Sequence, residues 1–234
     1  MSQSGDDLAF SSEEFSGRAR LFPLPNLILF PHVIQPLHIF EPRYVELLRD
    51  AIQSDKLIAI SLLAPGWEDD YEGRPAIEPV ACLGRVLTWQ TQPGNRYNLL
   101  LLGLRRIRVV RELPASRSFR EAEVAVLEDE YPGGSKRRAE LHRRLVAAFE
   151  KMLPRIQDSN ELFNQLAVDT VSLGTLTDVI SYALDLNICD KQSLLAEPNV
   201  DCRAKKLLKH LEQACGESDA IGLAAGFPPA FSAN

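Results

Sequence analysis

The residues able to do chemistry are densest in PLHIFEPRY, Pro36 to Tyr44, where a histidine, a glutamate, an arginine and a tyrosine stand within nine residues. His38 and Glu41 could serve as an acid–base pair with Tyr44 nearby, since an imidazole and a carboxylate span the pKa range that proton transfer needs near neutral pH. The local pattern offers each of them a structural task instead. His38 and Phe40 share one face of a strand. Glu41 falls at the start of a helix, where free N–H groups and the dipole favour a carboxylate. Pro42 suits the first helical position because no N–H is needed there. Arg43, in the first turn, can pair with a carboxylate elsewhere. An architectural role is therefore expected for Pro36, His38, Phe40, Glu41, Pro42, Arg43 and Tyr44. The enzyme alternative requires a pocket that joins His38 to Glu41.

Other catalytic spacings are missing from the sequence. PGGSKRR, Pro132 to Arg138, does not have the spacing of a phosphate loop, and neither a Gly-x-Ser-x-Gly elbow nor a His-Glu-x-x-His run occurs. His32 and His38 have no carboxylate or thiol at a ligand interval, so neither metal nor cofactor is expected. Cys82, Cys189, Cys202 and Cys215 form no Cys-x-x-Cys pair. They read as reduced, mostly buried thiols of a cytoplasmic protein.

Two basic runs raise nucleic acid as a partner. Lys136, Arg137, Arg138, His142, Arg143 and Arg144 lie on one helix, and Arg203, Lys205, Lys206 and Lys209 lie on another. Both fit the solvated face of an amphipathic helix. No aromatics interleave them to stack bases, and the formal net charge of −6 opposes a phosphate backbone. Aromatics in turn-rich stretches suggest a protein surface instead. Trp67 and Tyr71 sit in the acidic loop WEDDYEGRPAIEP, and Trp89 stands beside a turn, so these three are the candidate partner anchors.

The elements that must position these residues change character along the chain. Residues 1–19 are acidic and serine-rich and read as a disordered tail. The apolar run Leu21 to Phe40 is cut by four prolines, which suits two short strands and excludes a membrane helix. A helix follows from Glu41-Pro42, with Tyr44, Leu47, Leu48, Ala51 and Ile52 at helical spacing. KLIAISLLA, VACLGRVLTWQ and FREAEVAVLED read as strands, with a bulge at Gly84 and a turn at Pro93-Gly94-Asn95. RYNLLLLGLRRIRVVREL reads as one long strand, or two bent at Gly103, with Arg106 and Arg108 opposite Ile107 and Val109. After Pro132-Gly133-Gly134 the period becomes helical. Helices are expected through Leu141 to Met152, at 161–168, at 178–186, in DKQSLLAE, and from Asn199 to Cys215. Residues 216–234 read as a second disordered tail. The organisation is thus a β region over 20–131 and a helical region over 135–215, an α+β chain.

Taken together, LFPLPNLILFPHVIQPLHIFEPRY, GLRRIRVV and DKQSLLAEPNVDCRAKKLLKHLE resemble the Lon amino-terminal, substrate-binding domain family over about Arg20 to Ala214. Gly103, Arg106 and Arg108 match the family's glycine-x-x-arginine-x-arginine strand. The resemblance implies a PUA-like β pseudobarrel with one inserted helix, followed by a helical bundle. It also implies a stand-alone, non-enzymatic module without the family's ATPase and protease parts. The partners it implies are protein clients or unfolded apolar segments, with a separate protease as a further candidate, in proteolysis or protein quality control. An RNA-binding PUA-like protein is the competing reading.

Overall fold

The computed structural model describes Phe10, residues 15–152, 171–216 and 232–233. Its strands and first helix are β1 (Arg18–Leu24), β2 (Ile34–Ile39), α1 (Pro42–Ile52), β3 (Leu57–Leu62), β4 (Val80–Gln92), β5 (Arg96–Glu112) and β6 (Arg120–Leu127). The helices α2 (Ser135–Glu150), α3 (Leu173–Ala183), α4 (Ile188–Leu195) and α5 (Val200–Gly216) follow, and β7 (Ser232–Ala233) is the last element. The helix expected at 161–168 lies outside the described residues. So do most of the two expected tails, although β1 already begins at Arg18 and β7 lies within 216–234.

Five strands close on themselves. β1 pairs with β3 and β6, β4 pairs with β3 and β5, and β5 pairs with β6. The β1–β3 pair is parallel and the other four are antiparallel. Each strand sends two residues into one cluster: Ala19 and Leu21, Leu57 and Ala59, Ala81 and Leu83, Leu104 and Ile107, Ala122 and Val124. The alternation that sends i and i+2 to one face produces four of these pairs, while Leu104 and Ile107 stand three apart because Leu104 is the extra residue at a register shift of β5 against β4; the alanines fit the narrow interior of a small ring. Phe10 and Phe15 pack against the same cluster.

The first half of β5 runs past the ring and pairs with β2 on its other side, from Ile34↔Leu102 to Ile39↔Tyr97. Gly94 and Asn95, both at positive φ, make the β4–β5 turn, and these are residue types that tolerate that conformation. A register shift between Leu83 and Gly84 places a bulge beside the glycine, with Leu104 of β5 as its extra residue. Gly84 and Gly103 are cross-strand partners. The Phe30–Val33 loop crosses Gly103 so closely that the His32 amide donates to the Gly103 carbonyl at 2.8 Å and the Gly103 amide to the Val33 carbonyl at 2.9 Å. That crossing launches β2 and, after it, α1.

The larger core joins the outside of the ring to the helices without a break. It runs from Phe22, Leu37 and Leu47 through Phe149, Ile180 and Leu208. Helix α1 contributes Tyr44, Leu47, Leu48 and Ala51 of the stripe expected from its spacing, with Val45 buried beside them and Ile52 only partly buried. Among the described cysteines only Cys82 is fully buried. Cys189 is exposed and Cys202 half-buried, which corrects the expectation of mostly buried thiols.

Candidate functional site

The Pro36–Tyr44 stretch is a strand-to-helix corner. Glu41 is the N-cap residue of α1, but its carboxylate makes no capping bond. It turns instead to Arg43, whose Nε donates to Oε2 at 3.0 Å, and to Tyr71, whose hydroxyl donates to Oε1 at 2.8 Å. Arg43 was expected to seek a carboxylate elsewhere in the chain and finds it two residues back. Its guanidinium stands 4.7 Å from the Tyr44 ring centre and 4.9 Å from that of Tyr71, a double cation–π stack. It also donates to the Tyr71 backbone carbonyl at 3.2 Å. The Tyr44 hydroxyl donates to the Pro23 carbonyl at 3.2 Å, and its ring packs on Phe22. Burial raises the Tyr44 phenol well above its ordinary pKa. Burial, then the hydrogen bond to Glu41, raises that of Tyr71. Both phenols stay protonated and serve as donors.

Trp67 and Tyr71 stand together beside this corner. Their rings meet edge-on at 5.7 Å, and Tyr71 is tied into the corner. A cavity of about 240 Å³ opens beside it, lined by Arg43, Tyr44, Arg74, Phe119 and Arg120 among others. Arg120 is held by Glu112 at 2.9 Å and by the Pro75 carbonyl at 2.8 Å. His38 goes elsewhere, with Nδ1 2.6 Å from the Asn98 side-chain oxygen across the β2–β5 ladder. The acid–base alternative needs His38 and Glu41 to converge, and they take separate partners. Arg43→Ala should lower stability by about 2 kcal/mol, the loss of a charged hydrogen bond and its aromatic stacking. Thermal unfolding should then fall by about 4–8 °C; an unchanged melting curve would refute this role.

The glycine-x-x-arginine-x-arginine strand has a different task. Arg106 and Arg108 leave the ring on one side, as their alternation predicts, but only Arg108 is exposed. Arg106 is 3% exposed and grips Asp178 of α3, itself 1% exposed, through both terminal nitrogens, one of them at 3.0 Å. Its Nε donates to the Leu195 carbonyl of α4 at 2.9 Å. Arg203 of α5 joins the cluster, donating to Asp129 at 3.0 and 2.8 Å and to the Thr177 hydroxyl at 2.9 Å. Arg203 is 0% exposed, so the reading of Arg203 as part of a solvated basic face was wrong. The cluster joins the ring to the helices.

The basic face of α2 is partly neutralised. Arg143 pairs with Glu140, Arg144 with Glu212 at 3.1 Å, and Arg137 lies 3.6 Å from Asp201. Arg138 stands over the Tyr131 ring.

Exposed apolar side chains gather on β2, where the sequence had suggested none. Ile34 is 46% and Phe40, one residue past β2, 43% exposed, and both fall in the outward period-two row that includes Pro36 and His38. Trp89 is 38% exposed. Its cross-strand level is that of Leu99 and Leu37, so it lies on the opposite face of the sheet from Ile34 and His38. The three aromatics singled out from the sequence are thus not brought together.

This ring, inserted helix and helical bundle have known counterparts. The family described as the ATP-dependent protease La (LON) substrate-binding domain matches residues 18–213. The chain belongs to the Lon substrate-binding domain family. It is 27% identical over 194 residues to a Lon protease of Dictyoglomus thermophilum, a match covering 82% of this chain and 24% of that protein. It is also 27% identical over 206 residues to a Lon protease of Azospirillum brasilense, covering 85% and 25%. The chain therefore spans about a quarter of the length of these relatives. The N-terminal domain of Mycobacterium avium complex Lon protease shares the fold with a TM-score of 0.68 at 15% identity, over 83% of this chain and 98% of that one. A Lon N-terminal domain protein from Xanthomonas campestris does so with 0.60 at 24% identity, over 82% and 97%. No helix among the described residues is long and apolar enough to cross a membrane.

Proposed function

We propose that this Lon-family domain is a non-enzymatic recognition module that binds protein clients through extended apolar segments, in the service of proteolysis or protein quality control. The observation that carries this reading is β2. Its backbone is paired with β5 along one side, and its outward row offers Ile34 and Phe40 to solvent. An extended peptide can add to such an edge by backbone hydrogen bonds, with its alternate side chains on the exposed apolar ones. Backbone pairing reads no sequence, which suits a module that meets unfolded segments of many kinds. The tyrosine–arginine corner supports that edge by fixing where β2 ends and α1 begins.

Binding of the purified chain to extended apolar peptides, at low and high salt, tests the reading. The expected result is salt-insensitive binding. The double variant Ile34→Ser/Phe40→Ser should weaken it about tenfold, a loss of ~1.4 kcal/mol, with little change in melting because both side chains are exposed. Trp89→Ala, on the other face, should weaken it less. Undiminished binding by the double variant would overturn the assignment of the site. RNA binding that falls steeply with salt would move the function to α2.

A further inference from the structure

The outer edge of β2 is not entirely open. β7 lies along it in parallel, with Leu37 opposite Ser232 and His38 opposite Ala233. These two pairings lie in the second half of β2, between the exposed Ile34 at its start and the exposed Phe40 just past its end.

The segment that supplies this strand is unlike the rest of the chain. Residues 220–234, AIGLAAGFPPAFSAN, contain no Asp, Glu, Lys or Arg, whereas a quarter of the whole chain is charged. Ile221, Leu223, Phe227 and Phe231 give it apolar side chains throughout. In composition it is an apolar peptide of the kind the β2 edge would accept. A bare apolar edge is also a liability, since it invites a second chain to pair.

We infer that β7, Ser232–Ala233, is a resident occupant of the β2 edge, held by strand addition at Leu37 and His38, and that a client strand must displace it. This rests on the reading of the β2 edge as the client site. A two-residue pairing is weak in itself, but a tethered segment faces its site at an effective concentration on the order of millimolar. The edge is then covered most of the time and still yields to a better strand. A client's apparent affinity falls by the fraction of time the edge is free. The same occupancy keeps the edge from pairing with a second copy of the chain.

The test compares the full-length chain with its Ser232→Pro/Ala233→Pro variant, which removes both backbone donors of β7 without touching the core. One probe is a labelled synthetic peptide of sequence 220–234, and the other an unrelated uncharged apolar peptide. Hydrogen exchange is followed at Ile34–Ile39. The proline variant should exchange faster there and bind the 220–234 peptide about tenfold more tightly than the parent chain, as expected if the segment covers the edge about nine-tenths of the time. Phe231→Asp should act in the same direction by placing a charge next to the pairing. Equal affinity in parent and proline variant, or unchanged exchange at Ile34–Ile39, would overturn the inference. The unrelated peptide separates the two readings. If it binds both proteins equally, client binding stands and the resident occupant falls. If only the 220–234 peptide binds, the occupant stands and general client binding falls.

Discussion

Arg106→Ala should lower the free energy of unfolding by about 3–5 kcal/mol, the usual cost of stranding one partner of a buried ion pair. Asp178, at 1% exposure, would keep its burial and lose the two-pronged grip of Arg106. The Leu195 carbonyl would lose its donor as well. Arg203 cannot stand in for Arg106. Its Nε lies 3.5 Å from Asp178, but that nitrogen already donates to Thr177, and its two terminal nitrogens are committed to Asp129. Arg106→Lys should recover only part of the loss, because an ammonium cannot reproduce the fork that reaches Asp178 and Leu195 together. Urea unfolding of Arg106→Ala, Asp178→Ala and the double variant measures the coupling. The double variant should cost clearly less than the sum of the single ones. Strict additivity would mean that the pair does not hold the helices to the ring.

Much of this architecture could be read in the sequence because local rules govern it. The branched, alternating runs became strands, a bulge falls beside Gly84, and Pro93 to Asn95 became a turn. Pro132 to Gly134 precedes α2, where the period changes. Side chains whose surroundings come from far along the chain were less legible. The alternation placed Arg106 correctly on the outer side of β5, but its cover arrives 72 residues later in α3. Arg203 is instructive because a local signal existed. It stands three residues after Val200 and four before Leu207, on the buried stripe of α5, and only its charge suggested solvent. Lys205, outside that stripe, is exposed. Helical position outweighs residue type when a buried carboxylate waits on the other side.

Ile34 and Phe40 drew no attention in the sequence for the opposite reason. Ile34 and Phe40 sit in an apolar run, and apolar runs read as core. Their exposure follows from the period-two alternation, which turns Ile34 and Phe40 away from the face where Leu37 and Ile39 are buried; which of the two faces is covered depends on packing that no local pattern contains. Trp67 and Tyr71 looked like anchors because aromatics in loops often meet partners. Here the loop folds back on the corner, and Tyr71 spends its hydroxyl on Glu41 and its ring on Arg43.

Gly103→Ala tests whether the crossing behind β2 sets the candidate edge. A Cβ at Gly103 would fall 1.9 Å from the Phe30 carbonyl oxygen and 2.8 Å from its carbon. Those atoms are backbone, and the hydrogen bonds from His32 and to Val33 hold them in place. The chain can relieve the clash only by lifting the Phe30–Val33 loop and breaking those bonds, at about 3 kcal/mol, the upper end for forced overpacking. Gly84→Ala is the matched control on the partner strand. Its Cβ would meet side-chain rather than backbone atoms, Leu101 Cγ at 2.8 Å and Leu29 Cδ2 at 3.0 Å, so the loss should be smaller, about 1–2 kcal/mol. The loop that Gly103 admits runs straight into Ile34, so the larger loss should come with faster hydrogen exchange along Ile34–Ile39 and weaker binding of apolar peptides. Gly84→Ala should leave both nearly unchanged. If the two variants melt alike and bind alike, the close crossing at Gly103 does not position β2, and the edge owes its geometry to the β5 ladder alone.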